Sequence, residues 1–536
     1  MLNIVLLAIN AKYVHSSLAV WVIAEGIKVN SQFLHNVSIA EATINQKTSD
    51  IVDSVIKYKP DIIGISSYIW NAAMMPELLF MLKKCLPETI IVLGGPEPSN
   101  NTEYWLSNGA DYVLPGKGEY IFPLFLDEYI LTSDNIKPNN SESMKGFCSN
   151  SVFIDPYTED YFNSLNGRLS YIETSRGCPF KCTFCLSASD GIRYFPLDVV
   201  KEQITKLSKA NTKTIKFVDR TFNCNSERAC EIFEYIIALE TDRIFHFEVA
   251  ADLFDDHMFS ILDTAPPGRI QFEIGIQSFH EPTLNAISRK TDINEAVKNI
   301  RKLVDMQNIH VHIDLIAGLP YESLNDFICG FNRAYSLSAG TLQLGFLKLL
   351  HGSILREQAN DFDIEYSSKP PYEVTATPWL SNDEIKILKQ AENALQHTYN
   401  KGRFLSALHY ALMTTGSDPF TLMLSLGCAI PNHGIQLEEY IIRIYDHLVT
   451  LPGVEAKALQ DCLVYDWLGM VKGKNLPAFL KNNVTRRKHI AENSEIILGR
   501  KPRREETAVL NSGIGLFTDS NDRDPVTGLY RVYICG

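Results

Sequence analysis

Short, uniformly apolar strands alternate with helical segments along the first 130 residues of this 536-residue chain. Apolar strands separated by helices are typical of a parallel sheet covered by helices on both faces. We therefore predict a doubly wound α/β domain over residues 1–130, with its ligand site at the carboxyl ends of the strands. The predicted strands span residues 3–10, 36–42, 61–67, 89–94 and 111–115.

A polar stretch rich in Ser, Asn and Asp follows between residues 131 and 150, and we interpret residues 131–165 as a linker. The alternation then resumes, with strands predicted at residues 169–174, 214–219, 245–250, 270–276, 310–318 and 341–349. Six units are too few for a closed eight-stranded barrel. Residues 166–360 are therefore predicted to form an open, partial (β/α)6 TIM barrel with its chemistry at the strand C-termini.

The strand pattern fades after residue 361, which predicts a mostly helical domain over residues 361–536. Ser381 and Glu384 have the spacing of a capping box and predict a helix that continues to about residue 399. Further helices are predicted near residues 403–413, 435–450 and 455–471, and a hairpin near residues 524–528.

Composition narrows the classes of partner. The 50 basic and 63 acidic residues give a net charge of −13, which provides no general attraction to nucleic acid or anionic membrane and favours a small-molecule substrate. No apolar run approaches the ~20 residues that a membrane helix needs. Eleven cysteines, three of them crowded together, favour metal chemistry in a reducing cytoplasm over a disulfide scaffold.

Cys178, Cys182 and Cys185 follow the first predicted barrel strand directly. Three thiolates at this spacing can hold one cubic iron–sulfur cluster and leave one iron without a protein ligand. Zinc is an alternative, although structural zinc sites usually use four ligands in two separated pairs, and no fourth partner is evident nearby. A packing role for the thiols also stays open.

This segment resembles the radical S-adenosylmethionine (SAM) superfamily, whose hallmark is three cysteines so spaced with an aromatic residue before the last, here Phe184. The resemblance implies a 4Fe-4S cluster whose open iron binds the amino and carboxylate groups of SAM. Reduction, by a protein such as flavodoxin or ferredoxin, would cleave SAM to a 5′-deoxyadenosyl radical. It also implies an oxygen-sensitive enzyme.

Polar and glycine positions at later strand ends match the superfamily's SAM contacts. The residues that the resemblance implies bind SAM, with Phe184 near the adenine, are Asp219, Glu248, Glu273, Gln277, Ile316 and Gly318. For each acidic residue, a structural salt bridge is the alternative.

The first domain lacks a Gly-x-Gly-x-x-Gly turn and carries serine and glycine turns after its third, fourth and fifth strands instead. These turns resemble those of Rossmann-like cobalamin-binding domains. The implied cobalamin contacts are Ser66, Ser67, Tyr68, Gly94, Gly95, Glu97, Gly116, Gly118 and Glu119. Asn10 and Lys12 stand where such domains carry the Asp and His of a lower-ligand motif, and His15 has the wrong spacing. We therefore predict cobalamin bound without histidine ligation. A degenerate sheet kept as a docking platform is the alternative.

Together these resemblances imply methyl transfer to an unactivated carbon by way of a 5′-deoxyadenosyl radical and methylcobalamin. A cobalamin-dependent cyclisation or rearrangement without methylation, and a non-catalytic cobalamin or redox sensor, are alternatives. A methylthiotransferase is disfavoured because the first 130 residues contain only Cys85. No catalytic side chain is assigned.

The last ~170 residues resemble a helical domain of unknown function that follows the barrel in one subgroup, and we expect a substrate-recognition cap. Basic runs at residues 486–489 and 500–504 are interpreted as solvated surface, with contact to an anionic substrate as the alternative. Cys224 falls near the predicted site, and a buried free cysteine is the simpler interpretation.

Overall fold

The computed structural model describes residues 1–132, 153–187, 191–431, 434–481, 495 and 497–535. Its N-terminal part is a five-stranded parallel sheet of order β2-β1-β3-β4-β5 with helices on both faces. The strands are β1 (Asn3–Asn10), β2 (Asn36–Thr43), β3 (Ile62–Ser66), β4 (Ile90–Gly94) and β5 (Tyr112–Leu114). The helices are α1 (Leu18–Asn30), α2 (Thr48–Ile56), α3 (Met75–Cys85), α4 (Pro96–Ser99), α5 (Thr102–Ser107) and α6 (Gly118–Leu131). Each predicted strand is confirmed to within one residue at either end.

The second part is a six-stranded parallel sheet of order β6-β9-β10-β11-β12-β13, which confirms the open, partial barrel. The strands are β6 (Ser170–Ile172), β7 (Ser175–Arg176), β8 (Arg193–Tyr194), β9 (Thr214–Phe217), β10 (Ile244–Val249), β11 (Ile270–Gln277), β12 (His310–Ala317) and β13 (Thr341–Phe346), of which β7 and β8 form a separate antiparallel pair. The helices are α7 (Glu159–Leu165), α8 (Leu197–Lys209), α9 (Ser226–Ala238), α10 (Asp256–Leu262), α11 (Glu281–Ala286), α12 (Ile293–Asp305) and α13 (Leu324–Tyr335).

Part of the segment interpreted as a linker is regular structure. Thr158 caps α7 by accepting a hydrogen bond from the Tyr161 amide, and both Tyr161 and Leu165 are fully buried. The Tyr157 hydroxyl donates to the Tyr171 carbonyl over 2.8 Å. The end of the segment, residues 153–165, therefore packs into the fold, because its aromatic residues outweigh the polar composition that precedes them; residues 133–152 lie outside the described part.

The third part is mostly helical and contains α14 (Ile354–Glu357), α15 (Asn382–His397), α16 (Leu405–Thr415), α17 (Pro419–Ala429), α18 (Leu437–Leu448) and α19 (Ala456–Met470). Its strands are β14 (Glu365–Tyr366), β15 (Val374–Ala376), β16 (Thr507–Val509), β17 (Gly515–Arg523) and β18 (Tyr530–Cys535). The capping box at Ser381 and the hairpin between β17 and β18 are present. The sequence does not predict α17, which is apolar along nearly its whole length and so has no amphipathic period.

Buried polar contacts join the first part to the barrel. Arg168 binds the Glu41 carboxylate through both terminal nitrogens, at 2.8 and 3.1 Å. The Ser16 hydroxyl donates to the Leu169 carbonyl, and His15 forms a parallel bridge with the same residue.

One contiguous hydrophobic core includes side chains of all three parts, from Ile4 and Phe122 through Phe247 to Trp467 and Leu516. A second core, which includes Leu7, Ile65 and Trp105, lies on the other face of the first sheet. No helix among the described residues is both long and apolar enough to cross a membrane.

Candidate cofactor sites at the facing strand ends

A cavity of about 830 Å³ lies between the first sheet and the barrel. On the barrel side it is bounded by Tyr171, Glu173, Arg176, Arg220 and Glu248. On the side of the first sheet, the lining residues that the sequence predicts as cobalamin contacts are Ser66, Tyr68, Gly94, Gly95, Gly116, Gly118 and Glu119. The fold therefore brings most of the predicted cobalamin contacts and one predicted SAM contact, Glu248, to a single space.

The turn after β4 presents bare backbone to this cavity. A Cβ atom placed on Gly94 would meet nothing closer than the Leu114 carbonyl oxygen, at 3.8 Å, so a side chain here would project into the cavity. Gly95 has a φ of +101°, and a Cβ on it would lie 2.4 Å from the Ser67 carbonyl oxygen. Only glycine fits this turn, and it allows a bulky ligand to approach the main chain.

Two of the predicted cobalamin contacts do not line the cavity. The Ser67 amide donates to the Gly94 carbonyl over 2.8 Å, and its buried hydroxyl donates to Asn71. The buried Glu97 carboxylate accepts the Tyr372 hydroxyl over 2.6 Å, and burial raises the pKa of Glu97. The Ser67 contacts therefore shape the turn within the first part, and the Glu97 contact holds it against the C-terminal part.

An aromatic pair and one histidine also line the cavity. The rings of Tyr68 and Trp70 stack with centroids 4.2 Å apart, and Trp70 is 43% exposed although its indole nitrogen donates to the Ile9 carbonyl. His15 is the one histidine on the described cavity wall, and its Nδ1 lies 2.6 Å from the Tyr171 hydroxyl. Burial lowers the pKa of His15.

Arg176 connects the cavity wall to the cysteine loop. Its guanidinium pairs with Glu119, at the start of α6, and with Glu173, at 2.7 Å. Arg176 lies two residues before Cys178, so this network couples the glycine turn after β5 to the cluster motif. The sequence patterns do not single out Arg176, because its acidic partner in the first part lies 57 residues away along the chain.

The three cysteines lie on a loop that is held by backbone hydrogen bonds to the residue after α11 and to α14. The Thr183 amide donates to the Ile287 carbonyl, and the Thr183 carbonyl accepts from the Leu355 amide. Arg289 Nη1 lies 3.7 Å from Cys182 Sγ and donates to it.

Thr221 Oγ1 lies 3.6 Å from Cys178 Sγ, and the Ser187 amide donates to Cys185 Sγ. Burial raises the pKa of the Cys182 thiol, an effect that the nearby Arg289 opposes. Three sulfurs on one loop, with a cation and polar groups directed at them, fit the donor set of a 4Fe-4S cluster.

Asp219 lies beside this loop, and both of its carboxylate oxygens accept hydrogen bonds from the residues just before it. Its carboxylate accepts hydrogen bonds from the Thr174 amide and hydroxyl, at 3.0 and 2.7 Å, and from the Ser175 hydroxyl. Burial raises the pKa of Asp219 and these hydrogen bonds oppose the rise. These contacts tie Asp219 to the residues just before the cysteine loop, and Asp219 is not among the residues that line the cavity.

Glu248 and Glu273 face the inside of the barrel in different environments. Burial raises the pKa of Glu248 to about 7. Burial alone would also raise the pKa of Glu273, but a 2.8 Å hydrogen bond from His246 and the Lys216 ammonium 3.8 Å away lower it to about 2. For Glu273 the salt-bridge interpretation left open by the sequence describes the observed partners.

The remaining predicted SAM contacts lie near the ends of β11 and β12. Gln277 has a φ of +70°, and its buried Oε1 has no hydrogen-bond partner. A Cβ on Gly318 would lie 2.6 Å from the Val374 side chain, so this glycine accommodates β15. Phe184 and Ile316 are partly buried against the main core.

Family models match all three parts of the chain. A B12-binding domain model matches residues 4–126, a radical SAM superfamily model residues 172–328, and a model for a protein family of unknown function, DUF4080, residues 360–509. The chain therefore carries a B12-binding domain and a radical SAM domain. These two domains imply a 4Fe-4S cluster, SAM and cobalamin.

Curated relatives of the chain are named as methyltransferases. The chain is 23% identical over 311 residues to the cobalamin-dependent radical SAM methyltransferase TokK of Streptomyces tokunonensis, which covers 52% of this chain and 45% of TokK. It is 27% identical to an uncharacterised methyltransferase of Pyrococcus horikoshii, over 61% of this chain and 75% of that protein. The chain therefore matches less than half of the length of TokK.

Solved structures support the fold. The cobalamin-dependent SAM radical enzyme OxsB aligns with a TM-score of 0.60 at 13% identity, over 86% of this chain and 78% of that one. At this identity the likeness shows a shared fold.

Proposed function

We propose that this protein is a cobalamin-dependent radical SAM methyltransferase that transfers a methyl group to an unactivated carbon of a small molecule. The observation that carries the proposal is the single cavity bounded by both the glycine turns of the B12-binding domain and the barrel strand ends beside the cysteine loop. Two cofactors held at opposite walls of one cavity can act on the same substrate. The methyltransferase names of the relatives support this assignment.

When bound, the cluster with SAM supplies radical hydrogen abstraction and cobalamin supplies a methyl carrier. The protein's own contribution is position. Cys178, Cys182 and Cys185 would hold the cluster, and Asp219 would orient the loop that carries them. Arg176 would keep this loop in register with the cobalamin turn.

We propose that cobalamin binds here without a histidine ligand. His15 is engaged by Tyr171 at 2.6 Å, and the exposed Trp70 ring, stacked on Tyr68, offers a flat surface on the cavity wall. Such a surface suits the face of a corrin ring. Spectra of the bound cobalamin should be unchanged by His15→Phe if this assignment is correct, and a shift of its visible bands would contradict it.

The decisive experiment measures iron and cobalamin per chain after anaerobic reconstitution, followed by 5′-deoxyadenosine formation from SAM under reduction. The proposal expects about four irons and one cobalamin per chain. Iron should be lost from the Cys178/Cys182/Cys185→Ala variant and retained when the exposed Cys329 and Cys428 are replaced. Iron that survives the triple substitution would exclude the cluster assignment.

The alternatives give different results in the same assays. SAM labelled in its methyl group should transfer the label to the small-molecule fraction of a cell extract. SAM cleavage without any transferred label would indicate a non-methylating enzyme. Absence of cleavage from a fully loaded protein would indicate a sensor.

The physiological conditions belong to the same proposal. We expect flavodoxin or ferredoxin to deliver the electron, in the reducing cytoplasm that an oxygen-sensitive cluster requires. Flavodoxin with its reductase should then replace a chemical reductant in the cleavage assay.

A further inference from the structure

A second group of potential metal ligands lies inside the barrel. Along β11 and β12, alternate apolar residues such as Phe272 and Ile313 are buried in the core, and the residues between them face the barrel interior. Glu273, His312 and Asp314 share this inward face, with Glu273 directly beside His312 across the strand pair. None of the three lines the large cavity, although Glu273 is also one of the positions predicted to contact SAM.

The three side chains converge on one point. One ligand atom from each of Glu273, His312 and Asp314 lies within 4.8 Å of the other two. Within the described part of the chain, no other set of three His, Cys, Asp or Glu side chains brings its ligand atoms this close together. Side chains from two neighbouring strands supply the set, which gives it a rigid frame.

His312 and Asp314 are also in direct contact with each other. His312 Nε2 and Asp314 Oδ1 lie 2.9 Å apart as an ion pair, both atoms are buried, and the angle between them does not meet that of a well-formed hydrogen bond. A histidine paired with a carboxylate normally directs its N–H at the oxygen. Burial gives two polar atoms in such imperfect geometry a desolvation cost that a cation shared between them would offset.

The surrounding groups support Glu273 as a ligand. Its Oε2 accepts from His246 Nε2 over 2.8 Å, which is the type of outer hydrogen bond that orients a ligating carboxylate. Lys216 Nζ lies 3.8 Å from the same oxygen, and its positive charge would repel a bound cation. This electrostatic repulsion should weaken cation binding.

We propose that Glu273, His312 and Asp314 bind a divalent transition-metal ion inside the barrel. A set of one imidazole and two carboxylates binds Zn²⁺ more tightly than Mn²⁺. Three protein ligands leave at least one coordination position open, which an anionic group of a molecule in the barrel can occupy. This site does not depend on the proposed methyl transfer.

The test uses the tag-free, full-length protein with its cluster oxidised to the EPR-silent state. Loss of the free Mn²⁺ EPR signal measures binding, and added Zn²⁺ measures competition. The wild-type protein should bind about one Mn²⁺ per chain, and Zn²⁺ should displace it. His312→Ala and Asp314→Asn should each weaken binding by at least about tenfold, and Lys216→Met should tighten it.

His310→Ala is the matched control, because His310 is on the same strand but bonds to Val526 and Thr341 instead. Binding in this variant should equal that of the wild type, with folding of every variant checked by circular dichroism. Glu273→Gln preserves size and tests the third ligand should an alanine variant unfold. A wild-type protein that takes up no Mn²⁺ or Zn²⁺, or uptake unchanged in His312→Ala and Asp314→Asn, would overturn the proposal. Loss of the bound ion in the Cys178/Cys182/Cys185→Ala variant would equally overturn it, since the ion would then be on the thiols.

Discussion

Arg176 and Glu119 form an ion pair that joins the cysteine loop of the barrel to the first turn of α6 in the B12-binding domain. Glu119 is buried and lies at a helix N-terminus, where a carboxylate is favoured by the helix dipole. Arg176 also holds Glu173, so one guanidinium neutralises two acids at the edge of the cavity. Separation of the two domains would leave the buried Glu119 unpaired.

Replacing Arg176 with Met should lower the free energy of unfolding by about 2 kcal/mol, because the change leaves a buried carboxylate without its partner. Chemical denaturation of the protein without cofactors measures this loss. Lys201→Met is the control, since its pair with Glu231 is more exposed and should contribute less than about 1 kcal/mol. In the double variant Arg176→Met/Glu119→Gln part of the stability should return; strictly additive losses would show that the pair carries no coupling.

Gly94→Val should reduce cobalamin affinity by roughly tenfold to a hundredfold, as expected for about 1–3 kcal/mol of overpacking against the ligand. The protein should keep its stability, because the new side chain points into the cavity. Equilibrium dialysis with hydroxocobalamin measures the affinity. Gly434→Val adds the same side chain at an exposed glycine with open space around it, and should bind cobalamin like the wild type. Equal affinity in both variants would place cobalamin elsewhere.

The local patterns of the sequence predict much of this site. The cysteine spacing and the glycine turns are short motifs whose geometry is set within a few residues, and the strands before them are buried enough to be read from apolar runs. The side-chain contacts between distant segments cannot be predicted in the same way. Glu97 has its partner Tyr372 at a separation of 275 residues, and Cys182 has Arg289 at 107. Such contacts depend on how the parts pack, which no local pattern encodes.

The same limit applies to predicted contacts whose side chains already have protein partners. Asp219 and Glu97 occupy motif positions, and the sequence cannot show that neighbouring hydroxyl and amide groups already use their oxygens. Gly318 likewise stays a predicted SAM contact, and the sequence does not show that β15 packs against it.

Asp219→Asn should impair assembly of the cysteine loop. The amide keeps one acceptor oxygen and brings an NH₂ group against the Thr174 and Ser175 donors, which should cost about 1–3 kcal/mol. Iron content and the absorbance of the reconstituted cluster should fall together with stability. Asp255→Asn, at the exposed cap of α10, is the control and should retain both. A fully loaded cluster in Asp219→Asn would remove Asp219 from the positioning role.

Glu248 should make the cofactor-free protein less stable as pH rises. Its folded-state pKa of about 7 lies above the ordinary value of 4.5, so between these values the folded protein holds a proton that the unfolded chain releases. The stabilisation is therefore present below about pH 4.5 and is lost as pH rises through about 7. Glu248→Gln should raise the melting temperature more at pH 8 than at pH 5. The exposed Glu234→Gln should show no such difference, and a Glu248→Gln effect equal at both pH values would refute the assignment.

The hydrophobic core is continuous from β1 through the barrel into the C-terminal helices, and this continuity limits where the chain can be cut into parts that fold alone. Domains that share a core lose part of it when they are cut apart, so excised fragments should expose apolar surface and aggregate. A swap of the B12-binding domain between relatives would need the matching faces of α1, α6 and α7 to travel with it. Substitutions on these faces are therefore constrained by the side chains that they pack against.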